Sequence, residues 1–218
     1  MDSSPGLSRL QSDLLREFFA RERRFVLTGG GALVGFHLAH RRSDDLDLFT
    51  KPPNTLEEGR RALAAAADAL GCTMQSLRTF PDFSRHLVQR GDERAIVDLV
   101  VDRAPDVDVP AQRADGIRIH SLREIAANKV CALLGRAEIR DLVDLTTILR
   151  RGLDLRGVLA DAEAKDGGVS AASLAWILDQ IRIAPGAKIP FADAAELEKD
   201  RVELVRRLRA LGLPDSRD

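Results

Sequence analysis

Between residues 25 and 50 the chain is tightly constrained. An apolar strand-like stretch, Phe25-Val26-Leu27-Thr28, runs directly into Gly29-Gly30-Gly31, then into a short helical stretch from Ala32 to Ala39, and returns as the apolar strand Leu46-Asp47-Leu48-Phe49. Three consecutive glycines after a strand permit a tight turn that no side chain obstructs. The returning strand carries charge in a regular way, as Ser43-Asp44-Asp45-Leu46-Asp47-Leu48. Side chains two apart on a strand share a face, so Ser43, Asp45 and Asp47 converge while Asp44, Leu46 and Leu48 point elsewhere.

Two carboxylates held close together repel unless a proton or a cation neutralises them. Mg²⁺ is the cation that best suits one or two carboxylates completed by water and phosphate oxygens, with Mn²⁺ as the alternative. The glycines supply a complementary feature, since backbone without Cβ approaches a phosphate closely and a following helix offers free N–H groups. The segment therefore has the parts of a metal and phosphate site in the order such a site needs. A tight turn followed by a solvated acidic loop is the competing reading.

Elsewhere the pattern is that of an ordered globular protein. The 218 residues are 44% hydrophobic and 31% charged, and 33 Lys and Arg balance 34 Asp and Glu to a net charge of −1. This excludes a polybasic chain, so contact with nucleic acid has to come from a local patch. Cys72 and Cys131 are far apart and belong to no Cys/His cluster, which argues against a disulfide framework or a zinc site. Met1 to Ala20 has no basic start with an apolar middle, and the longest uncharged run, Phe25 to His40, is interrupted by glycines and shorter than the ~20 residues of a membrane span. The expectation is a cytoplasmic protein with no membrane segment.

Leu7, Leu10, Leu14, Leu15, Phe18 and Phe19 predict an amphipathic first helix, and Thr55-Leu56-Glu57-Glu58 opens another that closes at Gly71. Thr73 to Leu77, Arg85 to Gln89 and Ala95 to Val101 read as strands, the last two joined as a hairpin at Gly91-Asp92. The Pro-containing segment from Asp102 to Gly116 is the best domain boundary. Beyond it, helices are expected from Ile125 to Leu134, Ile139 to Leu149, Leu155 to Ala164, Ser170 to Ile183 and Ala192 to Leu211, with Trp176 in a helix core. The fold class is α+β: a small mixed-sheet core with helices over residues 1–115, then a helical half over residues 116–218.

Two further residues invite attention. Lys129 is one of five lysines and lies within the apolar helical stretch Ile125 to Leu134, so its ammonium either snorkels to solvent or pairs with an anion. Asp98 interrupts the β-branched run Ile96-Val97-Asp98-Leu99-Val100-Val101, where a charge is costly to bury without a partner. It is either a third carboxylate beside Asp45 and Asp47 or a residue of an exposed strand edge. Asp141 and Asp144 fall on one helix face, with Arg140 beside them as an ion-pair partner or a substrate contact.

The pattern Thr28-Gly29-Gly30 followed by Asp45-Leu46-Asp47-Leu48 resembles that of the polymerase-beta-like nucleotidyltransferases. Within that superfamily, Gly29-Gly30-Gly31-Ala32-Leu33 with His40-Arg41-Arg42-Ser43-Asp44-Asp45-Leu46-Asp47 is similar to the AbiEii-type nucleotidyltransferase toxins. So is the later pair of motifs, Lys129-Val130-Cys131-Ala132-Leu133 and Arg140-Asp141-Leu142-Val143-Asp144-Leu145. Gly31 departs from the family, which usually has a threonine there. The resemblance runs from Phe25 to Leu149.

It implies transfer of a nucleoside monophosphate from a nucleoside triphosphate (NTP) to an acceptor, with pyrophosphate released. The catalytic residues would be Asp45, Asp47, Asp98, Lys129 and Asp141, and the metal ligands Asp45, Asp47 and Asp98. Gly29, Gly30, Gly31, Ser43 and Lys129 would hold the nucleotide. A toxin of a toxin–antitoxin pair with a cognate antitoxin is implied, with the 3′ end of tRNA as acceptor in some relatives. Arg23-Arg24, Arg41-Arg42, Arg60-Arg61 and Arg206-Arg207 are candidate RNA contacts. An antibiotic-type nucleotidyltransferase acting on a small molecule, and a catalytically silent nucleotide-binding module, are the competing expectations.

Overall fold

A computed structural model describes residues 6–189 and 191–212. They divide into two compact units, one formed by the residues up to Arg103 together with Asp108–Ser121, the other by Ala104–Val107 and the residues from Leu122 onward.

The first unit is a mixed seven-stranded sheet with two long helices. The strands are β1 (Val26–Thr28), β2 (Asp45–Thr50), β3 (Thr73–Thr79), β4 (Phe83–Arg90), β5 (Glu93–Val101), β6 (Ala111–Gln112) and β7 (Arg118–Ile119), in the order β3-β4-β5-β2-β1-β7-β6. The two central pairings differ in sense. β1 and β2 are antiparallel, whereas β2 and β5 are parallel.

The long helices are α1 (Arg9–Arg21) and α3 (Leu56–Ala69). Leu46, Leu48, Val97 and Leu99 are at most 1% exposed, as are Leu10, Leu14, Phe18 and Leu63 of the two helices, and together they form the core. Phe18 meets Phe19 and Phe25 edge-on at centroid distances of 5.4 and 5.6 Å. α3 comes so close that a Cβ on Gly59 would lie 2.5 Å from the Phe25 ring, which explains a glycine in a helix interior. Ser8 and Gln11 form a reciprocal capping box on α1, and the Thr55 hydroxyl accepts from the Glu57 N–H at the start of α3.

α2 (Gly29–Ala32) starts at the first glycine rather than at Ala32 and continues as a π-helical turn, Leu33–His37. His37 Nε2 lies 2.9 Å from the carbonyl of His120, just beyond β7. β6 arises in the segment expected to be only a boundary, and β7 just beyond it, where the helical half was expected to begin. At two residues each, they carry no alternation from which a strand is readable.

The second unit is helical: α4 (Leu122–Arg136), α5 (Ile139–Arg150), α6 (Leu155–Lys165), α7 (Ala171–Gln180) and α8 (Ala194–Leu211). Arg201 of α8 donates to the Leu178 carbonyl at 2.9 Å and pairs with Glu198, tying α8 to α7. Trp176 is not core. It is 64% exposed, because α7 buries Leu174, Ala175 and Leu178 and turns residue 176 off that stripe. Glu124 and Lys165 form a buried 2.5 Å ion pair, and Glu124 also accepts the Val107 N–H at 2.6 Å. Among the described residues, no helix is long and apolar enough to cross a membrane.

Candidate active site

The sheet of the first unit has one face buried on α1 and α3. The alternation of β2 fixes what lies on the other, since Leu46, Leu48 and Thr50 are buried while Asp45, Asp47 and Phe49 are half-buried. Register extends the acidic row across strands. Asp47 is opposite Thr28 of β1 on one side and Asp98 of β5 on the other, and Asp98 is opposite Arg85 of β4. Paired residues of adjacent strands share a face, so Thr28, Asp47, Asp98 and Arg85 form a transverse row, with Asp45 one step along β2.

Ser43 lies just before β2 and is 5% exposed; its hydroxyl donates to Asp45 Oδ1 at 3.1 Å and lies 3.2 Å from the Asp45 carbonyl. Gln11 of α1 holds the Ser43 carbonyl at 3.0 Å. The glycine turn lies against these groups. Gly29, at φ +60°, sits where a Cβ would be 2.1 Å from Asp47 Oδ2, and a Cβ on Gly30 would meet the Arg41 guanidinium at 2.8 Å and the Ser43 hydroxyl at 2.9 Å. Gly31 leaves slightly more room, its Cβ position being 3.2 Å from both the Asp45 carbonyl and the Leu46 side chain. Gly29 therefore lets Asp47, and Gly30 lets Arg41 and Ser43, pack directly against the turn. The Thr28 hydroxyl, 2% exposed, caps nothing and has no hydrogen-bond partner.

Asp98 is 4% exposed, and Arg85 grips both of its oxygens, with Nε at 2.8 Å and a terminal nitrogen at 2.6 Å. The hydrogen bonds to Asp98, and then the negative field of Asp98, Asp45 and Asp47, hold the guanidinium more firmly protonated than usual. Arg85 was not among the residues expected from the sequence. The signal for it lay in the hairpin: with a two-residue turn at Gly91-Asp92, counting outward from Arg90 opposite Glu93 brings Arg85 opposite Asp98.

The second unit contains the other expected residues. Lys129 of α4 is 6% exposed and pairs at 2.7 Å with both Asp141 and Asp144 of α5, each 0% exposed. Of the two sequence alternatives for Lys129, pairing with an anion is the one realised. Asp141 also accepts from Arg136 Nε at 2.9 Å, and it lies in the first turn of α5, where a helix stabilises negative charge. Arg140 pairs with Glu138 at 2.7 Å.

One member of each of three arginine pairs is engaged with neighbouring acids. Arg24 meets Glu22 and Glu58, Arg60 meets Glu57, and Arg206 meets Glu203. Burial raises the thiol pKa of both Cys72 and Cys131, which favours the protonated thiol.

A model of the nucleotidyl transferase AbiEii toxins of type IV toxin–antitoxin systems matches residues 13–213. The chain belongs to this family. As an AbiEii-family protein it is a nucleotidyltransferase of mixed α+β fold. JHP933 from Helicobacter pylori superposes with a TM-score of 0.57 at 18% identity, over 93% of this chain and 92% of its own. A candidate nucleotidyltransferase from H. pylori superposes with a TM-score of 0.56 at 20% identity, over 94% and 96%. At such identities the likeness is one of fold. No curated protein matches the chain by sequence. The family match extends past Leu149, where the sequence resemblance ended, and includes all of α8.

Proposed function

We propose that this AbiEii-family nucleotidyltransferase is the metal-dependent toxin of a toxin–antitoxin pair, acting in the cytoplasm to transfer a nucleoside monophosphate from an NTP to the 3′ end of tRNA. The observation that carries the reading is the contact of Gly29 with Asp47. A glycine in the left-handed region is set against one of two carboxylates that share a solvent-accessible sheet face.

The donor set fits a small divalent cation, because Asp45 and Asp47 are hard oxygen donors two apart on one strand and Gly29 lets the Asp47 carboxylate pack directly against the turn. Bound there, Mg²⁺ would polarise the α-phosphate and offset the charge of the leaving pyrophosphate. Ser43 fixes the orientation of Asp45 through its 3.1 Å hydrogen bond. Gly29, Gly30 and Gly31 present backbone to the triphosphate without steric cost. Asp98, in register with Asp47, is the third acid of the site and the candidate acceptor of the proton from the attacking hydroxyl.

In the transfer, the acceptor oxygen bonds to the α-phosphorus, the bond to the bridging oxygen breaks, and the pair of electrons leaves with pyrophosphate. Lys129 and Asp141 belong to this machinery on the strength of the family motif. Lys129 is held by Asp141 and Asp144 at 2.7 Å each, which fixes the position of its ammonium.

The near-neutral charge of the chain is the feature that favours a small-molecule acceptor instead. One assay separates the readings. The protein is incubated with each α-labelled NTP and Mg²⁺, and with either total tRNA or small hydroxyl compounds as acceptor. Label in tRNA is the expected result; label in a small acceptor supports the antibiotic-type enzyme, and NTP binding without transfer supports a silent module. Growth arrest on expression, relieved by Asp47→Ala and by a co-expressed antitoxin, tests the toxin reading.

A further inference from the structure

Asp98 has the position of a metal ligand but not the freedom of one. It lies opposite Asp47 on the next strand, yet both of its oxygens are held by the Arg85 guanidinium in a fork geometry. A bidentate Arg–carboxylate pair is among the strongest ion pairs available to side chains, and one whose anion is 4% exposed is stronger than a surface pair. The two partners are not buried alike. The Arg85 side chain is 37% exposed and its guanidinium lies 5.8 Å from the centre of the Phe83 ring, so the arginine has solvent to move into.

We propose that Arg85 is a resident counter-ion that withholds Asp98 from the cation, so that the resting centre is a two-carboxylate site with a third acid in reserve. Arg85 is a positioning residue here, because it acts through Asp98. With the pair closed, a cation meets Asp45 and Asp47 and is opposed by the nearby guanidinium charge. With the pair open, Asp98 joins the two aspartates, and the released guanidinium faces outward as a donor for an anionic group such as a substrate phosphate. Opening is thus coupled to the arrival of a ligand that can take either partner: a cation for Asp98, or a phosphate for Arg85. A free divalent ion alone is held weakly, and the ion with a polyphosphate is held well.

The inference rests on the proposed metal-binding role of Asp45 and Asp47, and its test reads metal affinity rather than turnover. Mn²⁺ binding to the full chain is measured without nucleotide, by the loss of the free-ion electron paramagnetic resonance signal. Arg85→Gln is expected to bind Mn²⁺ about tenfold more tightly than wild type, because it adds a ligand and removes a positive charge. Asp98→Asn alone is expected to bind no more tightly than wild type, and the double variant to return to the wild-type affinity.

Arg85→Lys keeps the charge but cannot span both oxygens, so a rise of about two- to threefold there reports the released oxygen itself. It also carries the test if the glutamine variant does not fold. Unchanged or weaker binding in the folded Arg85 variants overturns the proposal, as does a double variant that binds as tightly as Arg85→Gln. Wild-type binding that Asp47→Asn leaves unaffected would remove the metal site and this inference with it. Asp47-dependent binding that Arg85→Gln and Arg85→Lys leave unchanged would remove only the inference.

Discussion

The two acidic clusters of this protein contain the same ingredients and use them in opposite ways. On the sheet of the first unit, Asp45 and Asp47 are half-buried, and Asp47 packs directly against the glycine turn. On the helices of the second unit, Asp141 and Asp144 are 0% exposed and share one buried ammonium, that of Lys129. A sealed cluster whose charges are matched at 2.7 Å is part of what holds its helices together. The half-buried one, packed against a left-handed glycine, is the one we propose to meet a cation. The two clusters differ in solvent access and in how closely their charges are matched, not in the number of acids.

That contrast predicts opposite phenotypes for removing charge. Asp45→Asn or Asp47→Asn is expected to lower transfer by at least about 1,000-fold in a protein that still folds, because a metal ligand is removed from a half-buried sheet face. Labelled-nucleotide transfer alongside thermal unfolding measures both. Lys129→Met is expected to cost about 3–5 kcal/mol of stability, since it leaves two buried carboxylates without their shared cation. Denaturant titration checks this, and adding Asp141→Asn and Asp144→Asn is expected to restore a large part of the loss. An Asp47 variant that unfolds, or a Lys129 variant as stable as wild type, would break the contrast.

Gly29→Ala probes the packing of Asp47 against the turn. Its Cβ would lie 2.1 Å from Asp47 Oδ2 at a backbone φ of +60°, so the expected outcome is a stability loss of about 1–2 kcal/mol and a much larger loss of transfer. Gly71→Ala is the control, with a similar φ of +65° and nothing within 4 Å. It should show the backbone cost alone and leave transfer intact.

The smallest expected effect comes from a titration. His86 is fully buried between the hydroxyls of Ser84 and Ser76, and burial, with a contribution from Arg60, lowers its pKa below the usual value. The unfolded chain therefore binds this proton more readily than the folded one. The stabilising contribution is complete above about pH 6.5 and is lost as pH falls below it. Unfolding curves at pH 7.5 and 5.5 should differ less for a folded His86→Gln variant than for wild type.

Much of this architecture was legible because local rules coincide with the fold. The three-and-four spacing of Leu10, Leu14 and Phe18 found α1, and the alternation in Asp45-Leu46-Asp47-Leu48 found both the strand and its two faces. The turn at Gly91-Asp92 found the hairpin. Asp98 beside Asp47 was only one of two alternatives, because the parallel pairing of β2 with β5 spans half a domain and no local pattern sets its register. β6 and β7 are too short to show a period. Trp176 was misplaced by treating a large aromatic residue as core when the buried stripe of α7 runs through Leu174 and Leu178. Arg85 was readable from hairpin counting, but an arginine on a strand draws attention only once its partner is known.

The central claim is that the Asp45–Asp47 face of the sheet is where the cation and the triphosphate meet. Its most direct test is the transfer rate of folded Asp47→Asn against wild type, each assayed with α-labelled NTP and the identified acceptor over a Mg²⁺ series. The expected result is a wild-type rate that rises with Mg²⁺ and vanishes in chelator, and an Asp47→Asn rate at background throughout. Transfer by folded Asp47→Asn at the wild-type rate, with the same Mg²⁺ dependence, would contradict the claim.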